Sequence, residues 1–209
     1  MCKHRPLLLQ AALCLFVTLP AFAQLGPGKV MFIAFDMDTN KGFALLALDP
    51  IPANTTIYVT DDEWTGTGFA GTEGGVEWTH TAEVPAGNVL VFTGVQSTAT
   101  LAVNIGSAQK IGNFNPGSAD EVLYAYVGTT YGSPTTFLSA LSNGGFNATN
   151  GTLTGTGLVA GQTAVEITGD EDVGVYNGST TCNTTDADCA AMIATVSNWA
   201  TQDGSGDQS

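Results

Sequence analysis

Arginine is absent from this chain beyond Arg5, and after residue 23 its only cationic side chains are Lys29, Lys41 and Lys110, joined by one histidine, His80. Without arginine there is no planar fork to grip phosphate or carboxylate in bidentate fashion. All 19 acids lie past residue 23, and the whole chain carries a formal net charge of −14. Such a field repels nucleic-acid backbones and anionic membrane surfaces, so nucleic acid is excluded as a partner. One histidine cannot build a multi-histidine zinc site. Neither a G-x-S-x-G nucleophile turn nor a G-x-x-x-x-G-K-[ST] phosphate loop is present. Long apolar runs are equally scarce. The one that occurs, "PLLLQAALCLFVTLP", follows Lys3, His4 and Arg5 and precedes "AFA" at 21–23. It reads as a secretory signal peptide over 1–23, leaving no membrane span in the mature chain and an extracellular or cell-surface destination.

Cysteine is nearly as rare. Past the leader only Cys182 and Cys189 remain, in "CNTTDADC". In an oxidising compartment a close pair is most simply a local disulfide. A metal pair would need two more soft ligands, and only His80 is on hand.

What the chain does have is glycine, threonine and short apolar runs broken every eight to fifteen residues. The runs are 29–36, 43–49, 56–61, 75–82, 88–94, 100–105, 121–128, 136–141 and 163–168. Several are apolar on both parities: in "EVLYAYVG", Val122, Tyr124 and Tyr126 alternate with Leu123, Ala125 and Val127. Strands apolar on both sides lie inside a layered structure. Turn signals such as "DTNKG", "DPIPAN", "VPAGN" and "SNGG" separate them. The pattern predicts an all-β fold, an antiparallel β-sandwich of immunoglobulin-like or jelly-roll-like type with nine to eleven strands. Residues 24–201 form its single domain, with a polar tail at 202–209. Expected core positions are Phe32, Leu45, Val59, Val91, Leu123 and Tyr124. One short C-terminal helix is expected near 187–199, from Met192, Ile193, Val196 and Trp199 at helical spacing and a Thr185/Asp188 capping box. Two Thr/Gly-rich segments, 65–75 and 147–162, read as long loops or flat strands.

Carboxylates are the only plentiful functional group. A glycoside hydrolase needs just two in an aromatic-lined cleft. Asp61, Asp62 or Glu63 with Glu77 or Asp120, near Trp64 and Trp78, meet that on paper, but no motif supports it. Calcium has a better claim. "DMDTNKG" places Asp36, Asp38 and Asn40 at alternate positions, although Lys41 and Ala47 stand where an EF-hand loop has glycine and glutamate. "TDDEW" adds Asp61, Asp62 and Glu63 as a second oxygen-rich cluster, and "TGDEDVG" a third. The competing reading of these clusters is charged, solvated turns. Five N-x-[ST] sequons, at Asn54, Asn147, Asn150, Asn177 and Asn183, are glycan acceptors if the chain passes through a eukaryotic secretory pathway.

The order of "FALLALDPIPANTTIYVTDDEW", "GGVEWT", "VPAGNVLVF", "DEVLYAYVG", "TFLSAL", "GLVAGQTAVEI", "DVGVYNG" and "NWAT" resembles a β-rich module of secreted bacterial proteins. The resemblance spans residues 28–201 and rests on phrase order. More loosely the layout is similar to the immunoglobulin-like lamin-tail sandwich. It implies a non-catalytic extracellular module and carries over no active-site residue. Residues and resemblance together point to a secreted structural or interaction protein that associates with copies of itself as a surface, matrix or filament subunit. The mature N-terminal stretch 24–35 is the expected mobile strand for that association. The alternative is a calcium-dependent module binding extracellular glycans through the same acids and an exposed Trp64.

Overall fold

The computed structural model describes residues 25–182 and 185–205. The expected signal peptide, Asn183 and residues 206–209 lie outside them. Among the described residues the strands are β1 (Val30–Asp36), β2 (Gly42–Ala47), β3 (Thr56–Thr60), β4 (Gly74–Thr79), β5 (Val89–Thr93) and β6 (Ala102–Val103). They continue with β7 (Ser107–Gly112), β8 (Val122–Thr130), β9 (Ser133–Ser142), β10 (Ala164–Glu166), β11 (Val173–Tyr176) and β12 (Trp199–Gln202). A helix, α1 (Asp186–Ala194), and a 3-10 turn at Val196–Asn198 precede the last strand. Two six-stranded sheets result: sheet I in the order β12-β11-β1-β2-β5-β6, and sheet II in the order β10-β9-β8-β3-β4-β7. The fold is the expected β-sandwich, with more strands than expected and one parallel pair, β9 with β10, in an otherwise antiparallel arrangement.

Alternation decides which side chains enter the space between the sheets. Leu45 and Phe43 of β2, Leu90 and Phe92 of β5, Ile57 and Val59 of β3, and Val76 and Trp78 of β4 all join one core cluster. In β1 the pairing with β2 slips between Phe32 and Ala34. That bulge lets Phe32 and Phe35, three residues apart, both point inward. Val91 is a correction to the expected core: it is 40% exposed because Leu90 and Phe92 take the inward parity of β5. Phe32, Leu45, Val59, Leu123 and Tyr124 are buried as expected.

Tyr124 belongs to a second core. Leu123 and Ala125 of β8 pack between the sheets, whereas Val122, Tyr124 and Tyr126 face the outer side of sheet II. There they meet Tyr58, Phe137, Trp64, Phe69 and Leu158. Phe69 and Leu158 come from the Thr/Gly-rich segments and Trp64 stands just before the first of them; together these segments fold over the sheet as a cap. Topology requires this path. Because β10 runs parallel to β9, the chain leaving Ser142 must travel back along the sheet before Ala164.

The helix is shorter than the 187–199 expected. Thr185 and Asp188 do form the capping box at its start. Its periodicity stops at Ala194; Val196 is 42% exposed, and Trp199 opens β12. The Trp199 indole donates to the Ile193 carbonyl at 2.7 Å, tying the helix end to the sheet. Cys182 and Cys189 are disulfide-bonded. Pairing in β12 extends to Gln202, one residue past the expected domain boundary. The stretch expected to be a mobile strand is corrected too: β1 lies between β11 and β2 in the middle of sheet I.

Candidate functional site

Strand direction gathers the acids. β1 and β3 end, and β8 and β11 begin, at the same end of the sandwich. Asp36, Asp38, Asp61, Asp62, Glu63, Glu73, Asp120, Glu121, Asp170, Glu171, Asp172 and Asp203 therefore share one pole, and Lys41 is the lysine among them. At the far end Lys29 bridges Asp186 at 2.5 Å and Asp49 at 3.3 Å.

Within the pole the sequence-adjacent carboxylates diverge. Asp61, 2% exposed, accepts the Asn115 N–H through Oδ2 at 2.9 Å, while its Oδ1 is buried with no hydrogen-bond partner. Asp62, 4% exposed, accepts the Glu73 N–H at 2.8 Å and the Tyr131 hydroxyl at 2.7 Å. Glu63 turns toward Gly71, where an added Cβ would lie 3.0 Å from its Oε2. In the β1–β2 turn Asp36 accepts the Asp38 N–H at 3.0 Å, and Asn40 is exposed. Around the third cluster Asp170 accepts the Asp120 N–H at 3.1 Å and Asp172 the Gly204 N–H at 3.2 Å. These acids mostly serve as acceptors for backbone N–H groups of distant loops. Among the described residues no three His, Cys, Asp or Glu side chains stand close enough to hold a metal ion, so we assign no metal ligand here.

Sequence reasoning missed Glu121, a half-buried residue whose Oε2 accepts the Gly117 N–H at 2.6 Å. Burial pushes its carboxyl up to about 8 and that of Asp61 up to about 7. Burial also lowers the Lys41 ammonium, against the pull of Glu121 and Asp61. Nothing in "GSADEV" announces this, because the groups that bury Glu121 come from other strands.

The residues weighed for glycan binding and hydrolysis lie in different surroundings. Trp64 is a correction: it is 7% exposed, its ring edge-on to Phe137 at 4.9 Å and its indole donating to the Thr154 carbonyl at 2.8 Å. It anchors the cap and offers no platform to a sugar. Asp120 is exposed and accepts from the Asn150 amide, and Glu77 sits mid-strand opposite Tyr58. His80 is buried, stacked on Trp78 at 4.4 Å and paired with the Ala82 carbonyl. Among the sequons Asn54, Asn147 and Asn177 are exposed, whereas Asn150 is buried.

The outer face of sheet I differs from that of sheet II. Ala200, Val175, Ala34, Ala44 and Val91 stand side by side across five adjacent strands in a row without charge. Val175 is 51% exposed. Shallow hollows of about 180 and 360 Å³ flank Ala34. Toward α1 the face continues into a groove of about 520 Å³ lined by Ile33, Leu46, Val89, Tyr176 and Met192. No described helix is long and apolar enough to cross a membrane. No family model, curated protein or solved structure matches this chain, and its function has to be read from its own residues.

Proposed function

We propose that this is a secreted, non-catalytic structural protein that works by contact, and that its principal contact is with other copies of itself through the outer face of sheet I. One observation carries the reading. The chain spends two long loops on sealing the outer face of sheet II, yet leaves across the opposite face an uncovered row without charge, with Val91 and Val175 exposed and Asp36 at its acidic-pole margin. Contiguous apolar surface of this kind marks interaction sites. The phrase-order resemblance to secreted β-rich modules supports the same direction.

Charge and area set how strong the contact is. Strands about 4.8 Å apart and some 20 Å long give this face roughly 500 Å² per copy. A standard stable interface uses roughly 800 Å² per partner. Two copies alone therefore associate weakly, and an array with further contacts is the stable form. The acidic pole opposes assembly, so salt or calcium strengthens it by screening or bridging.

Sedimentation velocity over a wide range of protein concentration, salt and calcium tests this. Association is expected to rise with each, and Val91→Lys with Val175→Lys to abolish it while the circular dichroism stays unchanged. A wild-type chain that stays monomeric throughout refutes the proposal.

A further inference from the structure

We infer that residues 113–120 form a strap held closed by protons retained among Asp61, Glu121 and Lys41, and that the strap loosens as the pH rises through neutrality. The geometry is a three-point clamp on consecutive residues. Asp61, at the end of β3, accepts the Asn115 N–H at 2.9 Å. Lys41, from the β1–β2 turn, donates to the Pro116 carbonyl at 2.7 Å. Glu121, just before β8, accepts the Gly117 N–H at 2.6 Å. Lys41 and Asp61, both distant in sequence, and Glu121, just past the strap itself, thus hold one tripeptide. Beneath it Phe114 is fully buried, edge-on to Phe43 at 6.3 Å, plugging the inter-sheet core at the acidic pole.

The charges do not balance when both carboxyls ionise, because two anions then face one ammonium. The surroundings add negative charge: Asp62 and Glu73 act on Asp61, Glu73 on Glu121, and Asp36 and Asp38 on Lys41. The buried, unpartnered Asp61 Oδ1 is the sharpest sign. A carboxylate oxygen there is sealed from bulk solvent and meets no protein donor, whereas a protonated carboxyl has much less charge to solvate.

Opening admits water and returns both carboxyls to the ordinary acid range, so it releases protons. The opening constant then climbs about tenfold per pH unit for each proton released, until the closed form has lost its protons as well. Acid closes the strap, and mild alkali exposes Phe114 and the mouth between the sheets.

Amide hydrogen exchange resolved by residue, from about pH 5 to about pH 8.5 and corrected for intrinsic rates, tests this. Protection at Asn115 and Gly117 is expected to fall by up to about a hundredfold per unit through the lower part of that range, a factor of about ten for each of the two protons, and to lie well below that of the Leu45 and Val59 amides, which open only with the whole domain. Asp61→Asn with Glu121→Gln keeps the acceptor oxygens and flattens the profile. Protection at Asn115 and Gly117 that is independent of pH overturns the strap. So does protection equal to that of the core amides at every pH, which would mean that the segment opens only with the whole domain, or protection that follows calcium rather than pH. Should the double variant not fold, carboxyl carbon titration of the wild type decides: Asp61 and Glu121 both ionising below about pH 5 removes the retained protons.

Discussion

Replacing Trp64 by alanine is expected to destabilise the whole domain, because Trp64 fastens both halves of the cap to sheet II. Its ring packs against Phe69 at 5.0 Å and Phe137 at 4.9 Å, and its indole donates to Thr154 in the other cap segment. Large aromatic-to-alanine changes at buried sites cost about 3–5 kcal/mol. In a domain of this size each kcal/mol moves the melting temperature by roughly 2–4 °C, so a fall of roughly 6–20 °C is expected. Trp64→Phe separates the contributions: it keeps an aromatic against Phe137 and loses the indole hydrogen bond, worth about 1 kcal/mol. Urea unfolding followed by circular dichroism, with calorimetry in parallel, measures both variants. A loss below about 1 kcal/mol for Trp64→Ala would refute the claim that the cap is an integral layer.

Three further outcomes can be checked. Asp61 and Glu121, raised by burial from 3.8 to about 7 and from 4.5 to about 8, bind protons more tightly folded than unfolded. Their contribution is intact below about pH 4 and is lost as the pH climbs toward about 8; the Asp61 shift alone is worth about 4 kcal/mol. Melting temperatures at constant ionic strength that rose over this window would contradict it. Reducing the Cys182–Cys189 bond, which spans a sequence separation of 7, is expected to cost about 2 kcal/mol; alkylation before and after reduction, with thermal melts of each form, checks it. Finally, in a eukaryotic secretory host Asn54, Asn147 and Asn177 are expected to carry glycans and Asn150 none. Asn150 is 6% exposed and its amide donates to Asp120 at 2.8 Å. Peptide mapping that found glycan on Asn150 would show that loop to be open.

The layering was legible because size and alternation travel together in "EVLYAYVG": two apolar faces on one strand demand two cores. The same ambiguity misplaced Val91. In "NVLVFTG" both parities are apolar, and only the greater bulk of Leu90 and Phe92 marks the inner one. The cap was not legible, since its Thr/Gly segments carry neither period and its anchors, Trp64, Phe69 and Leu158, are isolated apolar residues. Nor was the use of Asp61 and Asp62. Their donors lie 54 and 11 residues away, and local pattern holds no trace of partners that only tertiary folding supplies. The helix start was readable from Thr185 and Asp188, whereas its end was not, because Trp199 keeps helical spacing while pairing with Tyr176 in a sheet.

The order of strands in sheet I also sets how the domain would bear a load. β1 and β12 both run toward the acidic pole, with β11 antiparallel between them. Whatever precedes Val30 and whatever follows Gln202 thus leave from opposite ends of the sandwich. Tension applied along the chain pulls β1 and β12 lengthwise past their neighbours, straining the ladder bonds of β1 with β2 and β11 together instead of unzipping them singly. A module threaded this way resists pulling best along the axis on which a string of such modules would be stretched.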